Sequence, residues 1–187
     1  SDDYAARIVQ IGWATHSRTD CPSDVEERIV QPNGGTTADK ATKYHGISHE
    51  RAMAEGRPLQ EVMSEFIGVI LAAHGRRARL VIHHLEFDAG IIKKELERAG
   101  LQNHSPAWVS IAKQGLCTTD PKIGKWIRSK FGMELSPHHN GDAMALDNLI
   151  KHVLPSMSCA AGRHTASVDA ETHVRLYGAL VDLATPQ

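Results

Sequence analysis

The chain has 187 residues, 41% of them hydrophobic and 23% charged, with a formal net charge of −1. That length and balance fit one globular domain with a full core and exclude a disordered chain. The near-zero charge excludes a global positive field, so nucleic acid would have to be met by a local basic patch.

Three cysteines, Cys21, Cys117 and Cys159, are odd in number and widely spaced. They argue against a disulfide framework and for a reducing, intracellular compartment, cytoplasm or nucleus rather than the secreted space. The longest apolar runs, such as FIGVILAA, are too short to span a bilayer, and no signal-peptide pattern opens the sequence, so no membrane partner is expected. Twelve histidines are scattered along the chain, with two adjacent pairs, His83-His84 and His138-His139.

RIVQIGWAT (7–15) alternates apolar residues and predicts a strand; DVEERIVQP (24–32) predicts a second, closed by Pro32. NGGTTAD (33–39) reads as a loop. HGISHERAMAEG (45–56) predicts a short helix with Ser48 as N-cap and Gly56 at its end. In PLQEVMSEFIGVILAAHG (58–75), Leu59, Val62, Met63, Phe66, Ile67 and Ile70 recur at helical spacing behind a first-turn proline. RARLVIHH (77–84) predicts a strand. FDAGIIKKELERAG (87–100) predicts an amphipathic helix with Asp88 near its start and Gly100 past its end. WVSIAKQGLCTTD contains a short strand near 115–118. PKIGKWIRSKFGM and DAMALDNLIKHVL predict two helices across the turn-rich LSPHHNGD, and a last helix runs from about Thr165 to Leu183. The order is that of one mixed α/β domain without repeats or linkers.

Three stretches place a carboxylate or histidine at a strand end or helix start: LVIHHLEFDAGII with Asp88, CTTDP with Asp120, and GRHTASVDAE with His164 and Asp169. Such positions are where α/β folds build their sites. Carboxylates suit hard divalent cations, and a nearby histidine can take a proton from water at neutral pH. Taken alone, an aspartate at a helix start is more often an ordinary dipole-favoured residue. HGRRAR (74–79) and KIGKWIRSK (122–130) are basic segments that could follow a phosphate backbone or form a solvated face.

Taken in order, these pieces resemble the DEDDh 3′–5′ exonucleases. RIVQIGWAT resembles the family's second strand and ERIVQP its third. KATKYHGIS resembles its A-x-x-x-H-G-I-T segment, LVIHHLEFDAGIIKKELERAG its V-x-H-N-x-x-F-D motif and helix, GLCTTD its x-x-C-T strand, and AMALDNLIKHV its L-x-x-L helix. RHTASVDAETHVRLYGAL resembles the closing H-x4-D-A motif. The resemblance runs over about residues 7 to 183. It implies an RNase H-like fold, a mixed sheet flanked by helices, over a single domain (1–187) that lacks the family's first strand. It implies a two-metal Mg²⁺ or Mn²⁺ site and cleavage of phosphodiester bonds at the 3′ ends of single-stranded RNA or DNA. Carried over by position, Asp88 and Asp169 would bind metal and His164 would be the general base. His84 and Phe87 would line the nucleotide site, and His45 and Ile47 would lie near the terminal base.

The sequence departs from the family in two places. The opening D-x-E motif is not seen: SDDYAA precedes the first recognisable strand, and Asp2 and Asp3 lack the spacing. His84 stands where the second motif has Asn. A catalytically inactive exonuclease-fold domain, used for RNA binding or protein contact as in Maelstrom-type domains, is therefore the alternative. A zinc site drawn from Cys117, His138, His139, His152 and Cys159 would accompany that reading. A plain α/β interaction domain is the third reading.

Overall fold

The computed structural model describes residues 7–15, 24–32, 39–132, 146–155 and 165–184. The two strands expected first are β1 (Gln10–Thr15) and β2 (Asp24–Gln31), paired antiparallel with Gln10 opposite Ile29 and Thr15 opposite Asp24. Helix α1 (Asp39–His45) and helix α2 (His49–Glu55) follow. The short helix expected within 45–56, with Ser48 as N-cap and Gly56 at its end, is α2. The Ser48 side chain accepts from Arg51 N–H and starts α2 at His49, while Gly46, at φ +70°, ends α1. A two-residue strand, β3 (Arg57–Pro58), lies parallel to β2 and leads into α3 (Leu59–Gly75).

The strand expected over 77–84 contracts to β4 (Val81–Ile82). His84 adopts a left-handed backbone, φ +59°, so the chain leaves the sheet there and enters α4 (Leu85–Arg98) two residues earlier than its sequence suggests. Gly100, at φ +74°, closes α4 as expected. Helix α5 (Ser105–Lys113) is held to α4 by the Trp108 indole N–H, which donates to Ala89 O at 3.0 Å. Strand β5 (Leu116–Cys117) pairs parallel with β4. Three further helices follow, α6 (Pro121–Phe131), α7 (Leu146–Val153) and α8 (Ala166–Ala184).

The class is mixed α/β, as expected. The strands do not form one sheet: among the described residues there is a three-stranded sheet, β1-β2-β3, and a separate two-stranded sheet, β4-β5. Two larger apolar clusters hold most of the helices, and a small third, of Val9, Ile47 and Ala52, seats α2. The larger joins Ile11, Trp13 and Val30 to α3, α4 and α5, with the Phe66 ring edge-on to Trp13 at 5.7 Å and to Trp108 at 5.8 Å. The second joins Ile127 of α6 and Leu149 of α7 to Leu176 and Leu180 of α8.

Because β1 alternates, its two faces hold different layers. Ile11 and Trp13 point to the α3 side, while Gln10 and Gly12 meet the start of α8. A Cβ at position 12 would overlap the Ala166 carbonyl, so glycine is what lets the helix come this close. Gln10 Oε1 accepts from Ala166 N–H at 3.2 Å, and Glu27 Oε2 accepts from both Ser167 N–H (2.7 Å) and Ser167 Oγ–H (2.6 Å). A carboxylate there also complements the positive end of the helix.

Gly12→Val should therefore destabilise the fold by about 1–3 kcal/mol through overpacking, and Glu27→Ala by about 1 kcal/mol through the lost cap. Urea midpoints of both variants check this. Wild-type stability in Gly12→Val would show that α8 does not sit on β1.

Candidate functional site

Asp88 and Asp169 come from distant parts of the sequence and line the same cavity, of about 830 Å³. Asp88 sits in the first turn of α4, one turn beyond the left-handed His84 that redirects the chain out of β4. Asp169 sits in the first turn of α8, placed by the docking of Ala166 on Gly12. His173, one turn further along α8, lines the same cavity.

The electrostatics of the two carboxylates are unfavourable as they stand. Burial pushes the Asp88 carboxyl up from its ordinary value near 3.8 to about 6, against an opposing pull from the nearby His84 ring. Asp169 Oδ1 is buried and accepts no hydrogen bond among the described residues. A buried carboxylate oxygen without a donor costs free energy unless a cation or a proton arrives. Both groups thus fit a role in holding positive charge.

The other expected residues are placed as follows. His84 and Phe87 are exposed at the start of α4, Phe87 at 68%. His83, beside them, lies 4.8 Å from the His84 ring and 6.1 Å from the His173 ring, with Nδ1 2.8 Å from Thr118 Oγ1. His45 and Ile47 do not line the cavity with the two aspartates. His45 Nδ1 accepts from Ile47 N–H at 3.1 Å, and burial lowers the His45 pKa. Ile47 is buried with Val9 and Ala52, so it supports its turn from inside and offers no open face. His164 lies outside the described residues, as do His138, His139, Cys21 and Cys159.

Asp120 does not join the pair; its carboxylate caps α6 by accepting from Lys122 N–H at 2.8 Å. Of the residues considered for zinc, Cys117 Sγ lies 2.9 Å from Thr119 Oγ1, and His152 Nδ1 lies 2.7 Å from Asn148 O. Among the described residues no group of three or more His, Cys, Asp or Glu side chains converges as a metal site. No described helix is long and apolar enough to cross a membrane.

Of the basic segments, His74, Arg76, Arg77 and Arg79 are exposed and line the cavity beside the aspartates. On α6, Lys122, Lys125 and Lys130 are exposed, with Lys130 Nζ 5.6 Å from the centre of the Trp126 ring. Sequence reasoning passed over Gly12, Gln10 and Glu27, which fix where Asp169 goes. It also passed over His173, whose signal was its i, i+4 spacing from Asp169.

Compared with known proteins, the chain matches no family model and no curated sequence.

The raised Asp88 pKa means that the fold prefers the protonated carboxyl. That preference is fully present below the ordinary value near 3.8 and is lost as pH rises through about 6. The buried charge then costs at most about 3 kcal/mol. Asp88→Asn should match wild type at pH 4 and exceed it by about 2–3 kcal/mol at pH 8. Denaturation at both pH values measures this, and an equal difference at the two would show that Asp88 ionises as if in water.

Proposed function

We propose that the chain is the core of a metal-dependent 3′–5′ exonuclease of the DEDDh type, with an RNase H-like fold, acting on 3′ ends of single-stranded RNA or DNA. The observation that carries this reading is the meeting of Asp88 and Asp169 on one cavity, the first with a pKa raised by burial and the second with a buried oxygen lacking a donor. Acidic pairs in that state are suited to a hard divalent cation.

Asp88 and Asp169 would hold Mg²⁺ or Mn²⁺. When bound, such ions supply charge neutralisation at the phosphate and an acidified water. The remaining work falls to the chain's own groups. His164, two residues ahead of α8, is assigned the general base from its place in the H-x4-D motif, a role imidazole fills at neutral pH. The exposed Phe87 offers a ring on which a splayed base can stack, and His84 offers a donor for sugar or phosphate. His45 would approach the terminal base from the turn between α1 and α2. The arginines between α3 and β4 would meet the phosphate backbone entering the cavity.

A second reading has its own observation. Among the described residues the two aspartates are not joined by a third ligand. An inactive exonuclease-fold domain that binds RNA or protein would be built in that way.

A 3′-labelled oligonucleotide in Mg²⁺ or Mn²⁺ distinguishes the two, using protein expressed with whatever residues its gene encodes ahead of Ser1. The exonuclease reading expects shortening from the 3′ end that stops on chelation. It expects a loss of more than about 100-fold in Asp88→Ala and Asp169→Ala, and of about 10²–10⁴-fold in His164→Ala. Binding without shortening would favour the second reading, and shortening that survives Asp169→Ala would sink the first.

A further inference from the structure

Helix α6 is a cationic element that takes no part in the cavity. Its sequence, PKIGKWIRSKF, carries four cationic side chains and no carboxylate, whereas α3, α4 and α8 each carry carboxylates of their own. At about 100° per residue, Lys122, Lys125, Trp126, Ser129 and Lys130 fall within one arc of about 140°. All five are exposed, while Gly124 and Ile127 are buried on the opposite side, where Ile127 packs with α7 and α8. The helix dipole favours Lys130, in the last turn, but opposes Lys122 and Lys125, which lie nearer the positive end. Neither of those two side chains forms an ion pair among the described residues. The nearby Asp120 carboxylate is spent on the Lys122 N–H.

The same face holds an aromatic ring and a fixed cation. Trp126 is 36% exposed. Lys130 Nζ donates to Leu183 O at 2.7 Å and lies 5.6 Å from the centre of the Trp126 ring. An ammonium has three N–H groups, so the contact with Leu183 leaves others to face an anion. Held from both sides, Lys130 has little side-chain freedom left to lose on binding.

The face also starts beside the cavity. Strands β4 and β5 are parallel, so both chains leave that sheet at the same end, β4 through His83 into α4 and β5 through Thr118 into α6. His83 joins the two exits, with Nδ1 2.8 Å from Thr118 Oγ1 and its ring 6.1 Å from that of His173, which lines the cavity. Thr118 to Lys122 is a reach of at most about 14 Å. From Lys122 to Lys130 the helix adds about 12 Å, the length of about three stacked nucleotides.

We propose that the outer face of α6 is a track for single-stranded nucleic acid leaving the cavity, with Lys122, Lys125 and Lys130 on its phosphates and Trp126 against a base. The proposal rests on the reading of the cavity as a nucleic-acid site and adds the path of the strand beyond it. Phosphates at this spacing answer the lysines, and a base answers the ring. An acidic peptide would answer the lysines alone. A membrane surface calls for a broad apolar face, and the isoleucine of α6 that is fully buried points into the fold.

Binding of labelled oligouridylate and oligothymidylate, each about 4 and about 15 nucleotides long, tests this on the whole protein, with Ca²⁺ in place of Mg²⁺. Lys122→Gln combined with Lys125→Gln should weaken the longer oligonucleotide at least about tenfold at about 0.1 M salt. It should also lower the slope of log affinity against log salt by about 1.4, at about 0.7 per phosphate contact. Trp126→Ala should weaken the longer oligonucleotide at least about fivefold. The shorter one, held by the cavity alone, should bind wild type and variants equally. Equal binding of the longer oligonucleotide by wild type and variants, or equal losses at both lengths, would overturn the track and leave the cavity reading standing. So would losses confined to polyglutamate or to phosphatidylserine vesicles, which would assign the face to an acidic protein or a membrane. A wild type that binds neither length would overturn the cavity reading as well.

Discussion

A helix that ends against a sheet leaves its first N–H groups without partners, and burying one unpaired costs about 1–3 kcal/mol. In this protein the sheet supplies the acceptors. Gln10 takes the N–H of Ala166, and Glu27 takes the N–H and hydroxyl of Ser167. The bonds form because Gly12 carries no side chain where the Ala166 carbonyl passes. One strand thus holds two layers, with Ile11 and Trp13 gripping α3 while Gln10 and Gly12 receive α8. The position of Asp169 follows from that docking, one turn along the helix.

The second carboxylate is placed by a different device. Strand β4 is two residues long because His84 takes a left-handed backbone and turns the chain directly into α4. Asp88 is carried into the cavity on the first turn, where the helix N-terminus favours negative charge but burial opposes it. Burial prevails, as the raised pKa shows. Each aspartate is thus set on its own helix by contacts made elsewhere in the fold. The arginines beside them lie on the cavity rim, where solvent screens their charge.

Much of this was legible in the residues. Alternation marked β1 and β2, and 3–4 spacing marked α3 and α4, because these elements bury one face against a single core. The strand before α4 was overestimated because Leu80, Val81 and Ile82 carry a strong β signal, whereas His84 gives no sign of its backbone angle. Helix α5 was missed: Trp108, Val109 and Ile111 look like strand residues, and what makes them helical is Trp108 burying itself beside Phe66 and bonding to Ala89. At the site, Asp88 and Asp169 could be paired through the order of their motifs. Gly12, Gln10 and Glu27 could not, since their partners lie 140 residues or more away and an isolated Gly or Glu in a strand has no signature.

Helix α8 also belongs to two cores. Its first turn rests on β1, and Leu176 and Leu180 pack with Ile127 and Leu149 in the second cluster. Its caps are fastened across sequence separations of 140 and 156 residues, which gives the site a place in time as well as in space. During synthesis β1, α3 and α4 emerge before α8, so Asp88 leaves the ribosome ahead of Asp169. The layer that carries Asp169 closes only after α8 has emerged. Contacts of such long range also make this closure a slow step in folding. A nascent chain therefore has its two carboxylates apart until α8 docks on β1.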